Sequence, residues 1–354
     1  MRLMTGRPHR LLAPVVGEIG ARVKRGERCM LLVPSQYTLQ AELEVMNRLD
    51  LTGSFLIDVL SPGRLQSRIF ERVGSPAQVV LDERGRGMVL AEIIDAEKEN
   101  LTVYRAAAES GASGFAQRLG ALIADLRRSG MDAQLLAERI GQMDEGSAAR
   151  EKLSDVARLF AAYEARMAGQ LVDGEDVARI MRAKLPASGE LSGVHVFVYG
   201  FDMITETFAR DLLAMEACAA SLTLAVETDS NSAPDGRLFA PVNFSLSRLS
   251  ALAQDAGIPV ERVRIDAPLD APQELCALES SLFALGEGSW DGEIEHIELF
   301  AASTPRAEVH RIASRMRMLA MEGEDLSRMA VVYPKGSGYA PLLSVILPLY
   351  GVTV

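Results

Sequence analysis

Short apolar runs and amphipathic helical stretches alternate through the N-terminal part of the chain. Three apolar runs, at residues 2–4, 29–33 and 54–60, have the length of buried strands. Helical spacing of apolar residues begins near Pro14 and again after Ser35. This alternation predicts a β-α-β-α-β unit built on a parallel sheet.

The pattern changes in the middle of the chain. Between residues 81 and 184 helical spacing recurs and no stretch predicts a strand, so we expect an all-helical insertion. Helices are predicted again from about Thr205 and from Phe244. Strand patterns return at three places, which are residues 194–199, 221–226 and 260–265. These strands are predicted to complete the first sheet.

A Pro/Asp-rich stretch at residues 266–274 precedes a new unit. There the pattern predicts two strands and two helices, which are a strand at 294–302, a helix at 305–321, a strand at 329–333 and a helix at 339–347. A parallel sheet needs further strands to cover its faces, so we expect this chain to be a fragment of a longer protein. The predicted domains are a first α/β domain at 1–80 and 190–290, a helical insertion at 81–189, and the start of a second, incomplete α/β domain at 291–354.

Composition narrows the class of protein. With 354 residues, 48% of them hydrophobic and 24% charged, the chain is long enough for two or three globular domains. Cys29, Cys218 and Cys276 have neither disulfide-framework nor metal-ligand spacing, and we interpret all three as buried thiols. The sequence contains no signal-peptide pattern and no apolar stretch long enough to cross a membrane. We therefore expect a cytoplasmic protein without a membrane partner.

Charge is unevenly distributed along the chain. The net charge of −11 argues against a uniformly basic nucleic-acid binder. Residues 1–75 nevertheless carry 11 Lys and Arg against 7 Asp and Glu, a net charge of +4, which leaves −15 for the remainder. The excess is compatible with a local basic face, and equally with ordinary solvated arginines on helices.

Five motif-like patches occur along the chain, and they are LLVPSQYTLQAE at residues 31–42, VLSPGRLQSRIF at 59–70, LVDGEDVARIM at 171–181, GVHVFVYGFDMITETFARDL at 193–212 and TPRAEVHRIASRMRMLAMEGEDLSRMAVVYP at 304–334. They resemble, in the expected order, sequence motifs of the AddB (RexB-like) family. No single patch is as specific as a Walker motif, but together they span nearly the whole chain. The chain is therefore similar to the N-terminal part of this family.

The resemblance implies a fold and a role. It implies an α/β architecture like that of superfamily 1 P-loop helicases, with a parallel sheet, a helical insertion and a second parallel-sheet domain. It also implies an ATP-dependent helicase-exonuclease that acts on DNA breaks and in recombination, with an AddA-type helicase-nuclease subunit as partner and single strands and duplex ends of DNA as ligands. Longer family members carry a C-terminal nuclease domain with an iron–sulfur cluster, so neither that cluster nor Mg²⁺ is expected in this chain.

The first nucleotide motif of active relatives is degenerate here. In GxxGxGK[ST] the backbone amides hold phosphates and the lysine reaches the β and γ oxygens. Only the glycine at Gly6 remains, followed by Arg7, His9 and Arg10, and Pro8 lacks an amide hydrogen. The three basic side chains could attract a phosphate, but the loop predicts no functional ATP site.

The second nucleotide motif is also lost. Active superfamily 1 helicases place an Asp-Glu pair after a buried strand to hold the metal and orient water. Tyr199 and Gly200 follow the corresponding strand here, and Asp202 comes too late to replace the pair. We therefore predict no catalytic residue, no metal ligand and no ATP hydrolysis in this chain.

Loops after the first-domain strands are implied by the resemblance to contact a DNA strand. The matching positions are Gln36, Tyr37, Thr38, Ser61 and Arg64. Tyrosine can stack on a base, glutamine can bond a base edge, and arginine can bind phosphate. Two of these residues have structural alternatives, because Ser61 could cap the following helix and Arg64 could be an exposed helix charge.

The surroundings of Arg64 depart from the family pattern. Pro62, Gly63 and Ser67 stand where relatives place aromatic residues, so fewer stacking partners are available. Sequence-specific reading of DNA is therefore not expected from these residues alone.

Several other polar residues are interpreted as structural. His195 lies inside a predicted buried strand and is expected to be a satisfied core histidine. Thr304, Arg306 and Glu308 open a predicted helix and are interpreted as helix-start chemistry and interdomain contact.

Two rival functions stay open at this point. One is a nucleotide-dependent enzyme whose ATP site has diverged beyond recognition, and the other is a protein-interaction scaffold that does not contact DNA. Stabilisation by Mg-ATP and binding of single-stranded DNA distinguish these alternatives.

Overall fold

The computed structural model describes residues 1–111, 113–284 and 289–352. Three predicted segments extend beyond these ranges: the helical insertion includes residue 112, the first domain ends across residues 285–288, and the second domain includes residues 353–354. The chain forms two compact units, the first of residues 1–270 and 280–288 and the second of residues 271–279 and 289–354. The domain boundaries at residues 81, 190 and 291 stay predictions.

A six-stranded parallel sheet forms the centre of the first unit. The described part of this unit contains eight strands, of which β4 and β5 form a separate pair. In chain order they are β1 (Arg2–Gly6), β2 (Arg28–Leu32), β3 (Ile57–Leu60), β4 (Val79–Val80), β5 (Leu171–Val172), β6 (Val194–Val198), β7 (Ser221–Glu227) and β8 (Glu261–Arg264). The sheet order is β3-β2-β6-β7-β1-β8, and every pairing in it is parallel. This sheet confirms the predicted α/β class and the return of the chain to the first sheet after the insertion.

Eleven helices belong to the described part of the first unit. They are α1 (Leu12–Val23), α2 (Thr38–Arg48), α3 (Pro62–Val73), α4 (Glu83–Glu97), α5 (Arg105–Glu109), α6 (Ser113–Arg128), α7 (Ala133–Gly141), α8 (Ala148–Met167), α9 (Gly174–Ser188), α10 (Glu206–Cys218) and α11 (Ala240–Asp255). The helix predicted from Phe244 begins four residues earlier, because Pro241 occupies its first turn, where proline is tolerated.

Helices cover both faces of the sheet. Alternate strand residues point to opposite faces, so Leu3 and Met4 belong to different clusters of buried side chains. On one face α1 and α2 contribute residues such as Val15 and Val45, and on the other α3, α9, α10 and α11 contribute residues such as Leu65 and Leu212. This double cover explains why the strands read as continuous apolar runs.

The insertion has a core of its own. Side chains from α4, α6, α7 and α8 form a separate apolar cluster that includes the fully buried Phe160 and Tyr163. The expectation that the insertion contains no strand is wrong, since the two residues of β5 pair in parallel with β4. A two-residue strand is too short to produce a recognisable alternation of apolar and polar positions.

Two α-helices lie wholly within the described part of the second unit, α13 (Pro305–Met321) and α14 (Tyr339–Ile346). A further α-helix, α12 (Gln273–Ser281), belongs to this unit except for residues 280–281. Helix α12 begins at the end of the Pro/Asp-rich stretch of residues 266–274 and was not predicted. The strands predicted at residues 294–302 and 329–333 are not formed, because a strand requires a hydrogen-bonded neighbour and the described residues provide none for these segments.

The thiols are only partly as expected. Cys29 is buried on β2, where its sulfur contacts the carbonyl oxygen of Ile19. Cys218 and Cys276 are half-buried, so the interpretation of all three cysteines as buried is wrong for two of them. Both stand near helix ends, where side chains are only partly covered by neighbours.

Candidate functional site

The carboxyl ends of the parallel strands meet along one side of the sheet, which we call the carboxyl edge. Ligands of open parallel sheets bind outside this edge. The loops after β3, β2, β6, β7 and β1 follow one another along it, in sheet order. All the predicted site residues lie at the ends of β1, β2 and β3, in the loops that follow them or in the first helical turn after them: Gly6, Arg7, His9, Arg10, Gln36, Tyr37, Thr38, Ser61 and Arg64.

Gly6 ends β1 at a point with no room for a side chain. A Cβ atom there would lie 2.8 Å from the carbonyl oxygen of Ile265 and 2.8 Å from Cδ2 of Leu11. The Gly6 carbonyl accepts a hydrogen bond from the Thr228 amide at 2.8 Å. Close packing of the chain therefore explains this glycine without a phosphate.

The guanidinium of Arg7 is held by two aspartates that follow β7. Its Nη1 lies 2.8 Å from Oδ2 of Asp229, and its Nη2 lies 2.7 Å from Oδ2 of Asp235. The side chains of these aspartates are only 9% and 2% exposed. The guanidinium carbon also stands 5.5 Å from the centre of the Phe239 ring. The positive charge of Arg7 is thus neutralised within the protein.

Both aspartates stay ionised at neutral pH. The hydrogen bonds from Arg7 lower the pKa of Asp235 below its ordinary value. Burial raises the pKa of Asp229, but hydrogen bonds from Arg7, the Ser230 amide and Arg264 outweigh burial and lower this pKa overall. Two carboxylates beside the degenerate phosphate loop disfavour a polyanionic ligand there.

A carboxylate of the protein accepts a hydrogen bond from a backbone amide of the degenerate loop. His9 adopts a left-handed backbone conformation with φ 65°, and its amide donates to Oε1 of Glu227 at 2.9 Å. Glu227 is the last residue of β7. Nη1 of Arg10 points back to the carbonyl oxygen of Pro8 at 3.3 Å. In nucleotide-binding loops such amides receive phosphate, whereas here the protein supplies the anion.

Tyr199 stands where the Asp-Glu pair of active helicases is expected. Its hydroxyl donates to the same Oε1 of Glu227 at 3.0 Å. Burial, reinforced by the negative charge of Glu227, raises the pKa of Tyr199 well above its ordinary value, so the phenol stays neutral. Asp202 is exposed. Within residues 1–111, 113–284 and 289–352, no group of His, Cys, Asp and Glu side chains has the arrangement of a metal site.

The space left beside these residues is small. A cavity of about 210 Å³ lies between the ends of β6, β7 and β1, lined by Pro8, Gly200, Asp202, Glu227 and Phe239, among others. Pockets for drug-sized ligands usually measure about 300–1,000 Å³, and a nucleoside triphosphate also requires positive charge. The charged side chains that line this cavity are the carboxylates of Asp202 and Glu227, which do not provide the positive charge that a nucleotide requires.

Sequence reasoning missed the acidic residues of this site. Glu227 ends a buried strand, and Asp229 follows it by two residues. Considering every polar residue at the carboxyl end of each predicted strand would have identified both as candidates. The contact of Asp229 with Arg7 and that of Glu227 with His9 could not be inferred, since the partners are 222 and 218 residues apart in sequence.

Gln36 and Arg64 lie in neighbouring parts of the carboxyl edge, because β2 and β3 are adjacent in the sheet. Both side chains are exposed. Over the ranges that the structure describes, neither side chain makes a hydrogen bond or ion pair. By contrast, Arg68, one turn beyond Arg64, is bound to Asp58 at 3.0 Å and to Glu190 at 3.4 Å.

The other predicted DNA-contact residues are engaged locally. Ser61 is 5% exposed and caps α3, accepting a hydrogen bond from the Arg64 amide at 3.3 Å, so the capping alternative is confirmed. The hydroxyl of Thr38 donates to the carbonyl oxygen of Ser35 at 3.0 Å. These two hydroxyls support the backbone of their loops.

Tyr37 is half-buried rather than freely exposed. Its hydroxyl donates to Oε1 of Glu44 at 3.3 Å, and its ring lies 6.3 Å from the Tyr199 ring at an angle of 59°. Burial, together with the charge and hydrogen bond of Glu44, raises the pKa of Tyr37 to about 12. The structure thus brings Tyr37 next to Tyr199 and leaves its side chain partly exposed.

Of the residues interpreted as structural, His195, Thr304 and Glu308 have structural contacts, whereas Arg306 is exposed. The interdomain contact expected for residues 304–308 stays a prediction. Nδ1 of His195 lies 2.8 Å from the Ser221 hydroxyl, and burial and the nearby Arg22 lower its pKa. Thr304 caps α13 by accepting the Ala307 amide at 3.1 Å. Glu308 accepts a hydrogen bond from the hydroxyl of Tyr339 within the second unit.

Over the residues described, none of the helices combines the length and apolar composition needed to cross a bilayer.

Comparison with known proteins agrees with these features. The family described as "ADDB, N-terminal" matches residues 2–279. A relative from Alkaliphilus oremlandii, named as a subunit of an ATP-dependent helicase/deoxyribonuclease, is 28% identical over 85% of this chain and 27% of its own length. Proteins of the same name from Alkaliphilus metalliredigens and Bacillus thuringiensis are each 26% identical, over 82% and 93% of this chain.

The chain spans 25% to 29% of the length of these relatives. The family match covers well over half of the chain and includes the whole described sheet, from β1 to β8. The five sequence patches, the parallel sheet with its helical insertion and the family match therefore lead to one conclusion: the chain belongs to the AddB N-terminal family.

Proposed function

We propose that this chain is the DNA-binding, scaffolding pseudo-helicase portion of a helicase-exonuclease subunit that acts in double-strand break repair and recombination. In this proposal an AddA-type partner supplies the motor, and the present chain contacts single strands and duplex ends of DNA. The relatives are named as one subunit of an ATP-dependent helicase/deoxyribonuclease, which supports a complex of this kind. We assign neither Mg²⁺ nor an iron–sulfur cluster to the residues of this chain.

The observation that carries the proposal is a division of the carboxyl edge. On the side of β1 and β7, the groups that could bind phosphate already have partners within the protein. Arg7 is paired with two aspartates, and the His9 amide donates a hydrogen bond to Glu227. On the side of β2 and β3, Gln36 and Arg64 are exposed and bind nothing in the described residues. The second side retains donors for a DNA strand while the first has lost those for a nucleotide.

The arrangement favours backbone contact over base reading. Arg64 can bind a phosphate, Gln36 can bond a base edge, and the partly exposed side chain of Tyr37 can stack on one base. The hydroxyls of Ser61 and Thr38 are engaged in hydrogen bonds with backbone groups of their own loops. We therefore expect salt-sensitive binding of single strands with modest sequence preference.

Fluorescence anisotropy with a labelled single-stranded oligonucleotide, measured over a range of salt concentrations, tests DNA binding. Arg64→Ala should weaken binding and lower the slope of log K against log salt by about 0.7, as expected for one phosphate contact on a single strand. Tyr37→Ala should cost about 1–3 kcal/mol if its ring stacks on a base. Arg166→Ala, which removes an exposed arginine of the helical insertion, is the matched control.

Two outcomes oppose the DNA-binding part of the proposal. No binding by the unaltered chain at about 50 mM salt would favour a protein scaffold, because electrostatic binding is strongest at low salt. Equal weakening by Arg64→Ala and Arg166→Ala would show that binding is a diffuse effect of charge and does not use the loop after β3.

Thermal unfolding with Mg-ATP tests the loss of the nucleotide site. A ligand present at a hundredfold its dissociation constant stabilises a protein by about 2.7 kcal/mol, which raises the melting temperature by several degrees. We expect no shift, since Arg7 and the His9 amide already have internal partners. A shift of several degrees would instead favour a nucleotide-dependent enzyme.

A further inference from the structure

A continuous set of contacts links the degenerate nucleotide loop to the loop that carries Gln36 and Tyr37. Glu227 accepts two hydrogen bonds on one oxygen, from the His9 amide at 2.9 Å and from the Tyr199 hydroxyl at 3.0 Å. The ring of Tyr199 contacts that of Tyr37 at a centroid distance of 6.3 Å. The carboxylate therefore joins the loops after β1 and β6 directly, and the ring of Tyr199 extends the contact to the loop after β2.

The loop after β2 is also tightly fitted against the loop after β6. Gly200 has φ 83°, and a Cβ atom there would lie 3.3 Å from Cδ of Pro34 and 3.7 Å from Cδ1 of Tyr37. The hydroxyl of Tyr37 is held in turn by Glu44. The position of the Tyr37 ring thus depends on where Tyr199 and Gly200 stand.

We propose that Glu227 is an internal substitute for a nucleotide phosphate and positions the DNA-contact loop through Tyr199. The carboxylate holds the β1 loop and the β6 loop in one arrangement, and Tyr199 transmits this to Tyr37 and Gln36. The loop after β2 is therefore kept in a fixed conformation that does not depend on bound nucleotide. This inference rests on the proposed DNA-binding function for its consequence, although the positioning itself can be measured without DNA.

The chemistry of a carboxylate suits this role. Like a phosphate oxygen, it is a charged acceptor, and hydrogen bonds to charged groups are stronger than those between neutral groups. Unlike a nucleotide, it is covalently part of the chain and cannot dissociate or be hydrolysed. An amide side chain at this position would keep an acceptor oxygen without the charge.

Positioning and plain electrostatics predict opposite effects on DNA binding. Removal of a negative charge near a DNA strand should strengthen binding or leave it unchanged. If Glu227 positions the loop, Glu227→Ala should instead weaken binding of single-stranded DNA by about tenfold, the equivalent of about 1.4 kcal/mol. Glu227→Gln should restore binding to the level of the unaltered chain or above, because its carbonyl oxygen can accept both hydrogen bonds.

The experiment measures anisotropy of a labelled single strand with the 354-residue chain and its variants. Tyr199→Phe removes the hydroxyl and should reproduce the loss caused by Glu227→Ala, and the double variant should be no weaker than either single variant. Glu71→Ala, at an exposed glutamate of α3, is the control for loss of one negative charge and should not weaken binding. Tighter binding by Glu227→Ala, or equal weakening by Glu227→Gln, would overturn the inference.

Hydrogen exchange separates this inference from the proposed function. Glu227→Ala should increase amide exchange at residues 35–38 and 199–202 about fivefold or more and leave the helices of the insertion unchanged, as expected for local opening. Unchanged exchange at residues 35–38 would overturn the positioning role, whether or not the chain binds DNA. Faster exchange there, with no DNA binding by the unaltered chain, would support positioning and reject DNA binding.

Discussion

Arg7 offers the sharpest test of whether the nucleotide site has become structural. Arg7→Ala leaves Asp229 and Asp235 without a shared cation, while their side chains stay 9% and 2% exposed. Breaking a buried ion pair by removing one partner usually costs about 3–5 kcal/mol. Asp229 retains Arg264 at 2.8 Å, and Arg7 itself is 17% exposed, so we place the expected loss at the lower end. The predicted decrease in the free energy of unfolding is about 3 kcal/mol at pH 7.

The pH dependence of this loss follows from the direction of the pKa shifts. The pKa values of both aspartates are lowered in the folded chain, so they stabilise it above the unfolded carboxyl pKa of about 4. This contribution fades as the pH falls through the folded values. In Arg7→Ala the main cause of the lowering is gone. The difference between the two proteins should therefore be largest near pH 7 and shrink below about pH 4.

Urea unfolding followed by far-UV circular dichroism measures the effect. Trp290 belongs to the second unit, whereas far-UV circular dichroism reports on the helices and strands of the first unit as well. The control is Arg237→Ala, at an exposed arginine of the same region, which should change stability by no more than about 0.5 kcal/mol. The reasoning is refuted if Arg7→Ala costs under about 1 kcal/mol at pH 7, as for an exposed pair, or if the loss persists at acid pH.

Two further predictions concern buried carboxylates elsewhere in the first unit. Asp155 is 3% exposed and accepts hydrogen bonds from the backbone amides of Thr102, Val103 and Tyr104. Asp155→Ala leaves these amides without an acceptor and should destabilise the helical insertion by about 2–3 kcal/mol. Hydrogen exchange should become faster in α8 and stay unchanged in the sheet. Burial raises the pKa of Asp211 to about 6 despite the adjacent Arg182. Stability from Asp211 is therefore fully present below about pH 4 and is lost as the pH rises from there through 6, by up to about 3 kcal/mol. Asp211→Asn should flatten this part of the profile. A profile unchanged by that substitution would contradict the assignment to Asp211.

Much of the fold could be predicted from local patterns. The strands at residues 29–33 and 194–199 are long apolar runs because both faces of the sheet are covered, and α13 begins at Pro305 as predicted because Thr304 caps it. The segments at 294–302 and 329–333 show where such reasoning stops. Their composition is typical of strands, but a strand also requires a neighbour, which is a property of the whole sheet.

The candidate site divides in the same way. Comparison with the motif of active relatives showed that the loop of Gly6, Arg7, His9 and Arg10 has no lysine and only one glycine. Gln36 and Arg64 were proposed because the family resemblance implies DNA contact at those positions. The capping role of Ser61 was also open to prediction, because a serine before a proline at a helix start is a local signal.

The sequence alone determined the class of fold, since this follows from hydrophobic period, and its residue types showed that two nucleotide motifs of active relatives are absent. Only the tertiary structure decided which partners the loop after β1 has. It placed Asp229 and Asp235 on Arg7, and Glu227 on both His9 and Tyr199. Parallel pairing brings the ends of β1, β6 and β7 together across more than 200 positions of sequence, and pairing at that distance is set by the packing of the whole sheet rather than by any local pattern.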